Sequence, residues 1–242
     1  MTALLEVRGL RVDYGDAAVL KGVDLDIQQG EFATLIGPNG SGKTTLLRAI
    51  VDMVPLTGGS IRIDGHDLST ASRAAKTAVG FMVEPERLPR LLTGRECLEL
   101  FVGARGLPSI PQATYTLSEA LAMSPLLDRR VENYSLGMRQ KLGILLGLMG
   151  EPPLLLLDEP FNGLDPRSSL LFKQHLAALV ARQQTAILLA THALDTVERY
   201  ATRALLLIDG CLRHAWNADE LADLRDDPKR SLDQAMAEAC EG

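Results

Sequence analysis

Residues 37–45, which read GPNGSGKTT, constrain the fold more than any other part of the chain. They follow the apolar stretch FATLI and precede TTLLRAIVDMV, whose apolar residues have helical spacing. The segment matches G-x-x-x-x-G-K-[ST], a phosphate-binding loop when a strand precedes it and a helix follows. Glycines let backbone N–H groups turn toward phosphate oxygens, and the helix N-terminus adds a favourable potential. The alternative is a glycine-rich structural turn.

Two side chains of this loop suit a bound triphosphate. Lys43 can reach the β- and γ-phosphates, and the Thr44 hydroxyl can bind Mg²⁺. We therefore predict a bound nucleotide with Mg²⁺, and Lys43 is also predicted to act in catalysis. The nucleotide-binding residues predicted in the loop are Gly37, Pro38, Asn39, Gly40, Ser41, Gly42, Lys43, Thr44 and Thr45.

An acidic pair follows the apolar run at 154–157. Carboxylates at the carboxyl end of a central strand lie in the ligand crevice of an open parallel sheet. Asp158 can therefore hold Mg²⁺, and Glu159 can polarise a water molecule. The alternative is a solvated acidic turn.

Periodicity predicts an α/β fold. In residues 3–36, apolar and polar residues alternate, which indicates short strands with one wet face, whereas the runs at 154–157 and 186–190 lack alternation and indicate strands of a central parallel sheet. Residues 85–150 have helical patterns, with a capping box at Thr93 and Glu96. A charged helix is expected from Pro166 to about residue 183. The polar end, from about Ala218, is expected to be helical and loosely packed.

Composition excludes several classes of protein. The chain has 242 residues, 46% of them hydrophobic, which is ample for a buried core. A net charge of −6 argues against nucleic acid as a partner. Cys97, Cys211 and Cys240 lie far apart, so neither a disulfide framework nor a zinc site is indicated, and a reducing compartment is expected. The longest apolar run is too short to span a bilayer and no secretory leader is evident, so we expect a cytoplasmic protein without a membrane span.

Two further segments carry a resemblance to a known family. YSLGMRQKLGILLGL at 134–148 and PLLLLDEPFNGLDP at 153–166, together with the phosphate loop, resemble the ATP-binding subunit of an ABC transporter. The resemblance implies an α/β P-loop NTPase fold with a central, mostly parallel sheet, an N-terminal antiparallel β subdomain and an inserted helical subdomain. It divides the chain into a nucleotide-binding core at 1–84 and 151–217, a helical subdomain at 85–150 and a short helical tail at 218–242.

The resemblance also implies an ATPase that works as a pair. In the family, the LSGGQ segment completes the nucleotide site of the opposite subunit, so two subunits hold two ATP molecules between them. Here Ser135 and Gly137 match that segment, whereas Leu136 replaces a glycine and Met138 a glutamine. The pairing could be a homodimer or a heterodimer. The plain alternative for Ser135 and Gly137 is helix capping.

Four more residues take roles from the resemblance. His192 matches the histidine that contacts the γ-phosphate, although a single histidine is more often structural. Asp165 matches an acid that links the two subunits, and it could instead cap a helix. Tyr14 matches an aromatic that stacks on adenine, or it packs within its strand. Glu84 stands where the family has a glutamine near Mg²⁺ and the attacking water, and is predicted as a catalytic and metal-binding residue; the alternative is an exposed loop acid.

The leading hypothesis is an ATPase at the inner face of the cell membrane, attached there through an integral membrane permease. GRECLEL, YSLGM and FNGLDP are most similar to the exporter branch that serves drug, antibiotic or lipid-like cargo. Leu88, Leu91 and Leu92 are candidates for contacts with the permease, or for the core. Two other classes compete: a soluble ABC ATPase acting on nucleic acid or ribosomes, and a regulator without turnover, which would be expected to lack Glu159 or His192.

Overall fold

The computed structural model describes residues 3–183, 185–226 and 231–241. The strands are β1 (Leu5–Tyr14), β2 (Ala17–Ile27), β3 (Phe32–Ile36), β4 (Gly58–Ile63), β5 (His66–Asp67), β6 (Val79–Phe81), β7 (Leu154–Asp158), β8 (Ala186–Ala190), β9 (Arg203–Ile208) and β10 (Cys211–Trp216). The helices are α1 (Lys43–Ile50), α2 (Ser72–Thr77), α3 (Gly94–Arg105), α4 (Gln112–Ala120), α5 (Leu136–Gly147), α6 (Pro166–Ala181), α7 (Leu194–Tyr200), α8 (Ala218–Asp226) and α9 (Leu232–Glu241).

A six-stranded sheet forms the centre of the fold, in the order β10-β9-β3-β8-β7-β6. Its strands are parallel except for β10, which pairs antiparallel with β9. Alternate residues of β7 enter different clusters: Leu155 and Leu157 pack with the helices α3 to α9, whereas Leu154 and Leu156 pack with α1 and the N-terminal strands. Both faces are therefore covered, which confirms the prediction of a central parallel sheet.

The N-terminal strands form a second, antiparallel sheet in the order β2-β1-β4-β5. Val23, Leu25 and Ile27 are buried on one face of β2, while the polar residues between them are more exposed. The buried face packs with Leu46, Leu47 and other residues of α1. Apolar and polar residues therefore alternate in these strands because one face of the sheet is buried and the other faces solvent, as predicted.

The segment between β6 and β7 is helical, as predicted. At the start of α3 the backbone N–H of Glu96 donates to Thr93 Oγ1 over 3.2 Å, and the Thr93 N–H donates to Glu96 Oε2 over 2.7 Å. This arrangement confirms the predicted capping box, which satisfies two otherwise unpaired N–H groups. The charged helix α6 begins at Pro166, as predicted, and ends two residues before the expected boundary.

The carboxyl-terminal helices pack against the core, so the expectation of loose packing is wrong. α8 begins at Ala218, where the sequence placed it. Its Leu221, together with Leu232 and Ala235 of α9, is buried in the large cluster that includes α6 and α7. Each of these short helices contributes few apolar residues, but they lie on one face. Burial of that stripe outweighs the polar composition of the segment.

None of the described helices is both long and apolar enough to cross a bilayer. Cys97 is buried and Cys211 partly buried, and both thiols are free. Burial raises the pKa of the Cys97 thiol to about 11, so this group is an unreactive part of the core. The side chain of Cys240 lies outside the described residues.

Candidate functional site

The glycine-rich loop joins the end of β3 to the start of α1 and is pressed against neighbouring strands. Gly37 has φ 146° and Gly42 has φ 108°, both in the region that favours glycine. A Cβ atom on Gly37 would collide with the carbonyl oxygen of Leu207, and one on Gly42 would lie 2.9 Å from Leu20 Cδ2. Both positions therefore require glycine for the backbone to follow this tight path.

Within the loop, Lys43 is held by backbone oxygens. Its Nζ donates to the carbonyl oxygens of Gly37, over 2.7 Å, and Pro38, over 3.0 Å. Burial lowers the pKa of the Lys43 ammonium, while the carboxylates of Glu159 and Asp158 act in the opposite direction. The bonds to the loop fix a cation beside the helix N-terminus, where a phosphate is also favoured.

The loop and the acidic pair share one cavity of about 350 Å³, within the size range of small-molecule sites. The sequence predicted that the loop and the acidic pair meet at the carboxyl edge of the sheet. Both segments line this cavity, as predicted. The predicted site residues outside its lining include Tyr14, Glu84, Ser135, Gly137, Asp165 and His192. The cavity is lined by Val19, Asn39, Gly40, Gly42, Lys43, Thr44, Thr45, Asp158 and Glu159.

The donor set suits a magnesium ion that is also bound by phosphates. Burial raises the pKa of the Asp158 carboxyl, and the neighbouring Thr44 hydroxyl lowers it. In the described part of the chain, no group of three His, Cys, Asp or Glu side chains could hold a metal alone. Mg²⁺ commonly uses one or two protein ligands together with phosphate oxygens and water. Thr44 and Asp158 fit that role, and the buried Ser41 Oγ, which has no hydrogen-bond partner among the described residues, offers another oxygen within the loop.

Glu159 is held in an unusual conformation at the end of β7. Its φ of 44° lies in the left-handed region, which is uncommon for a residue with a side chain. Its N–H donates to the Ala190 carbonyl over 2.9 Å, and its carbonyl accepts from Gln140 Nε2 over 3.1 Å. The Glu159 Oε1 atom lies 2.9 Å from His192 Nδ1. The structure therefore brings the predicted pair Glu159 and His192 into direct contact.

Gln140 is a site residue that sequence reasoning missed. It lies on α5 and is buried, and it connects that helix to the backbone of Glu159. The only signal was a glutamine shortly before the mostly apolar second half of the 134–148 segment. Polar groups this deeply buried are generally hydrogen-bonded, but the sequence does not say to what.

Glu84 forms ion pairs through both carboxylate oxygens. Oε1 accepts from Arg48 Nη2 over 2.6 Å and from Arg48 Nε over 3.0 Å, while Oε2 accepts from Arg87 Nε over 3.0 Å. The side chain is partly buried, so the alternative of an exposed loop acid is wrong. Sequence reasoning missed both arginines. Their presence means that Glu84 is charge-compensated before any metal is considered.

Ser135 and Asp165 both have capping geometry. The Ser135 hydroxyl accepts from the Met138 N–H over 3.2 Å at the start of α5. Asp165 accepts from the Ser168 N–H and from Lys141 Nζ, each over 2.9 Å, at the start of α6. A Cβ atom on Gly137 would lie 2.5 Å from the Gly163 carbonyl oxygen, so these two helix starts are close together. Ser135 and Asp165 therefore cap helices, as the alternative interpretation of each residue stated. Their roles toward a second subunit remain predictions.

The remaining candidates differ in exposure. Tyr14 ends β1 and is 49% exposed, so part of its ring is open to a ligand and part packs within its strand. Leu91 is 73% exposed, Leu88 is buried and Leu92 is partly buried against the core. Leu88 is thus a core residue, and only Leu91 is freely exposed among the three leucines.

The sequence model of one family, described as ABC transporter, matches residues 20–162. The match covers more than half of the chain and includes the loop and the acidic pair. The chain belongs to the ABC transporter family. Membership confirms the predicted α/β P-loop fold and the prediction of an ATP-binding, ATP-hydrolysing subunit of such a transporter.

Curated relatives in this family are named as ATP-binding proteins. The chain is 38% identical over 207 residues to the uncharacterized ABC transporter ATP-binding protein YdbJ of Bacillus subtilis, covering 86% of this chain and 67% of the relative. It is 35% identical over 212 residues to Nod factor export ATP-binding protein I of Cupriavidus pinatubonensis, covering 87% and 65%. It is 34% identical over 225 residues to the daunorubicin resistance ATP-binding protein DrrA3 of Streptomyces coeruleorubidus, covering 90% and 69%. The chain thus spans about two thirds of the length of these relatives.

Solved structures of ABC cassettes share the fold. One, described as the structure of the ATP binding subunit of an ABC transporter, is 31% identical with a TM-score of 0.87, covering 98% of this chain and 99% of that one. Another, described as the dimeric structure of a bacterial ABC transporter cassette, is 25% identical with a TM-score of 0.78, covering 88% and 98%. The fold of this ABC chain therefore extends beyond the matched family segment.

Proposed function

We propose that this chain hydrolyses Mg²⁺-bound ATP as one of a pair of subunits and so powers export through a separate membrane permease. The observation that carries the proposal is the cavity in which Lys43 and Thr44 face Asp158 and Glu159. Relatives named for Nod factor export and daunorubicin resistance support the export direction and a drug-like or lipid-like cargo. Attachment through the permease would hold the chain at the cytoplasmic face of the membrane.

The loop binds and neutralises the phosphates. Lys43 supplies a fixed cation toward the β- and γ-phosphates, and backbone N–H groups of residues 37–45 surround the oxygens. Thr44 and Asp158 hold Mg²⁺, which supplies further positive charge at the phosphates when it is bound. Tyr14, exposed at the end of β1, stacks on the adenine.

Glu159 and His192 act on the attacking water. The Glu159 carboxylate lines the cavity and can accept a proton from water, and its contact with His192 Nδ1 fixes the orientation of both side chains. Gln140 and Ala190 hold the Glu159 backbone in its left-handed conformation. Glu84 lies beside this site, and its ion pairs with Arg48 and Arg87 hold its carboxylate in place.

A second subunit supplies what this cavity lacks. Ser135 and Gly137 lie outside the cavity of their own chain, at a helix start where N–H groups and a hydroxyl can bind an anion. Leu136, between them, is 51% exposed, as a residue at a subunit interface can be in the isolated chain. Asp165 lies beside this segment and contributes to the same interface. In this arrangement, residues 85–150 are the helical subdomain that carries Ser135 and Gly137, residues 1–84 and 151–217 are the nucleotide-binding core, and residues 218–242 are a helical tail.

The test is nucleotide-dependent pairing. Glu159→Gln should bind ATP without hydrolysing it and accumulate as a dimer in light scattering coupled to gel filtration, whereas ADP should leave it monomeric. Adding Ser135→Arg to Glu159→Gln should abolish the dimer while one nucleotide per chain still binds. A strictly monomeric Glu159→Gln chain, with ATP at saturation and with its natural associate present, contradicts the proposal.

A further inference from the structure

Arg48 lies one helical turn after Thr44 on α1. Residues four positions apart on a helix share a face, with about 5–6 Å between their Cβ atoms. Thr44 lines the nucleotide cavity, whereas Arg48 is partly buried and lies outside that lining. The face of α1 that offers a hydroxyl to Mg²⁺ therefore presents a cation one turn farther along the helix.

Glu84, the ion-pair partner of Arg48, lies at the same edge of the central sheet as Asp158. β6 and β7 are parallel neighbours, and just beyond β6 the Met82 N–H donates to the Leu156 carbonyl over 3.2 Å. Glu84 therefore follows β6 at the edge where Asp158 ends β7. Burial is the main cause of the raised pKa of Asp158; the charge of Glu84 raises it further and that of Arg48 lowers it. Both side chains thus lie within electrostatic range of a metal-binding carboxylate.

Both oxygens of the Glu84 carboxylate are bonded to arginine. Oε1 accepts from Nε and Nη2 of Arg48, and Oε2 accepts from Nε of Arg87. Hydrogen bonds between charged groups are roughly twice as strong as neutral ones. The Arg87 side chain is 52% exposed and that of Arg48 28%, so water and salt weaken the pair with Arg87 more. Arg48 is therefore the residue that chiefly fixes Glu84.

Turning Glu84 toward a metal would leave Arg48 without its partner. Among the described residues, Glu84 is the only acid that forms an ion pair with Arg48. A partly buried guanidinium without a partner is costly, because it has lost part of its contact with water. A metal ion can therefore gain the Glu84 carboxylate only by breaking this pair.

A third free carboxylate would change what the nucleotide cavity binds. Asp158 and Glu159 already line it together with Lys43. Mg²⁺ is commonly held by one or two carboxylates together with substrate phosphates, and the affinity of a protein for a divalent cation rises with the number of charged ligands. With Glu84 free, such a cation could bind before the nucleotide. With Glu84 paired, the phosphates are needed to complete the set of ligands.

We propose that Arg48 is a positioning residue that withholds the Glu84 carboxylate from the metal, so that a divalent cation binds in this cavity only together with the nucleotide. This inference rests on the proposed function and deepens it by naming a control on metal binding at the same site. Thr44 and Asp158 are then the protein ligands, and phosphate oxygens and water supply the others. Glu84 is a charge-compensated neighbour instead of the ligand that the sequence predicted.

Binding of Mn²⁺ in the absence of nucleotide tests the proposal. The electron paramagnetic resonance signal of free Mn²⁺ loses amplitude as the ion binds protein, which gives the affinity. The unaltered chain should bind Mn²⁺ weakly, and Arg48→Met should bind it at least about tenfold more tightly. Adding either Glu84→Gln or Asp158→Asn to Arg48→Met should abolish this gain. Arg87→Met is the matched control, because it removes a cation from the same carboxylate but leaves Arg48 in place; it should bind as the unaltered chain does.

The number of water ligands separates direct binding by Glu84 from a change of charge alone. Electron–nuclear double resonance in H₂O and D₂O detects the water protons on Mn²⁺ bound with ATP, in chains that all carry Glu159→Gln to prevent hydrolysis. Arg48→Met should displace one water ligand, whereas Arg48→Lys and Glu84→Gln should leave the number unchanged. If Arg48→Met does not accumulate in folded form, Arg48→Gln serves instead, with the same displacement expected, because it has no charge but retains an N–H donor.

The outcomes separate this inference from the proposed function. An Mn²⁺ affinity that is equal in Arg48→Met and the unaltered chain, an equal gain in Arg87→Met, or an unchanged number of water ligands in Arg48→Met overturns the inference and leaves the proposed function intact. Tight binding of Mn²⁺ by the unaltered chain without nucleotide also overturns it. If the unaltered chain with ATP binds Mn²⁺ no more tightly than ATP alone does, the metal site itself is wrong, and the proposed function falls together with the inference.

Discussion

The imidazole of His192 and the carboxylate of Glu159 are joined by a hydrogen bond of 2.9 Å between Nδ1 and Oε1. An ionised carboxylate can only accept, so with Glu159 ionised the donor of this bond is Nδ1–H. Glu159 directly follows β7, and His192 follows β8, the adjacent parallel strand. The bond therefore connects the segment after β8 to Glu159, which lines the nucleotide cavity.

Loss of the imidazole should slow turnover more than it weakens binding. His192→Ala is expected to lower kcat for ATP by about 10²-fold or more, because Glu159 loses the group that orients it. Steady-state phosphate release gives kcat, and a fluorescent nucleotide gives the affinity, which should change little. His66→Ala, at an exposed position on β5, is the control and should behave as the parent. Equal kcat values in the two variants would refute the role of His192.

Gln140 should matter to catalysis although it lies outside the cavity lining. Gln140→Met has a similar shape but cannot donate to the Glu159 carbonyl, so Glu159 is held less firmly. We expect kcat to fall about tenfold, and the free energy of unfolding to fall by about 1–3 kcal/mol for the unpaired buried carbonyl. Urea denaturation and phosphate release measure the two effects. Gln174→Met makes the same change on an exposed face of α6; a matching loss there would show that the effect is not specific to the site.

Glu84→Gln should destabilise the chain, although it restores the amide that the family usually has. Arg48 and Arg87 would lose their shared carboxylate, and the partly buried Arg48 would be left without its partner. The free energy of unfolding should fall by about 1–3 kcal/mol, and combining the change with Arg48→Met should cost less than the sum of the two single changes. Glu86→Gln, an exposed acid of the same loop, is the control. Additive losses in the double variant would mean that the two side chains are not coupled.

His175 should make stability sensitive to mild acid. Burial lowers its pKa from the ordinary value of 6.5; the nearby Glu151 raises it and Arg182 lowers it. The unfolded chain therefore takes up a proton at pH values where the folded chain does not, so stability is lost as the pH falls below 6.5. His175→Gln should flatten this dependence in urea denaturation at about pH 7.5 and about pH 5.5. His66→Gln should leave the slope as it is, and an unaltered slope in His175→Gln would disprove the assignment.

Local patterns were sufficient to predict much of the site. The loop at 37–45 is contiguous, its neighbours have clear periodicity, and parallel strands place Asp158 and Ala190 at the same sheet edge. From these elements alone, the meeting of Lys43 with the acidic pair could be inferred. The N-terminal sheet could be predicted equally well, because the alternation of apolar and polar residues reflects burial on one face.

Contacts between segments that are distant in sequence could not be predicted in this way. Arg48 and Glu84 are 36 positions apart, and Gln140 and Glu159 are 19 apart. In each case the partner is fixed by the packing of a helix on the sheet, which the sequence does not encode as a period. The sequence also could not show that Leu88 is buried while the nearby Leu91 is exposed. Their loop has no periodicity that would distinguish buried from exposed positions.

The central sheet separates two apolar cores, and successive residues of β7 and β8 serve different cores. Natural variation can therefore alter the packing under α3 to α9 without touching the side chains that pack with α1. A gene duplicate that diverges in the first core would keep the packing under α1, whereas changes around α5 would also reach Glu159 through Gln140.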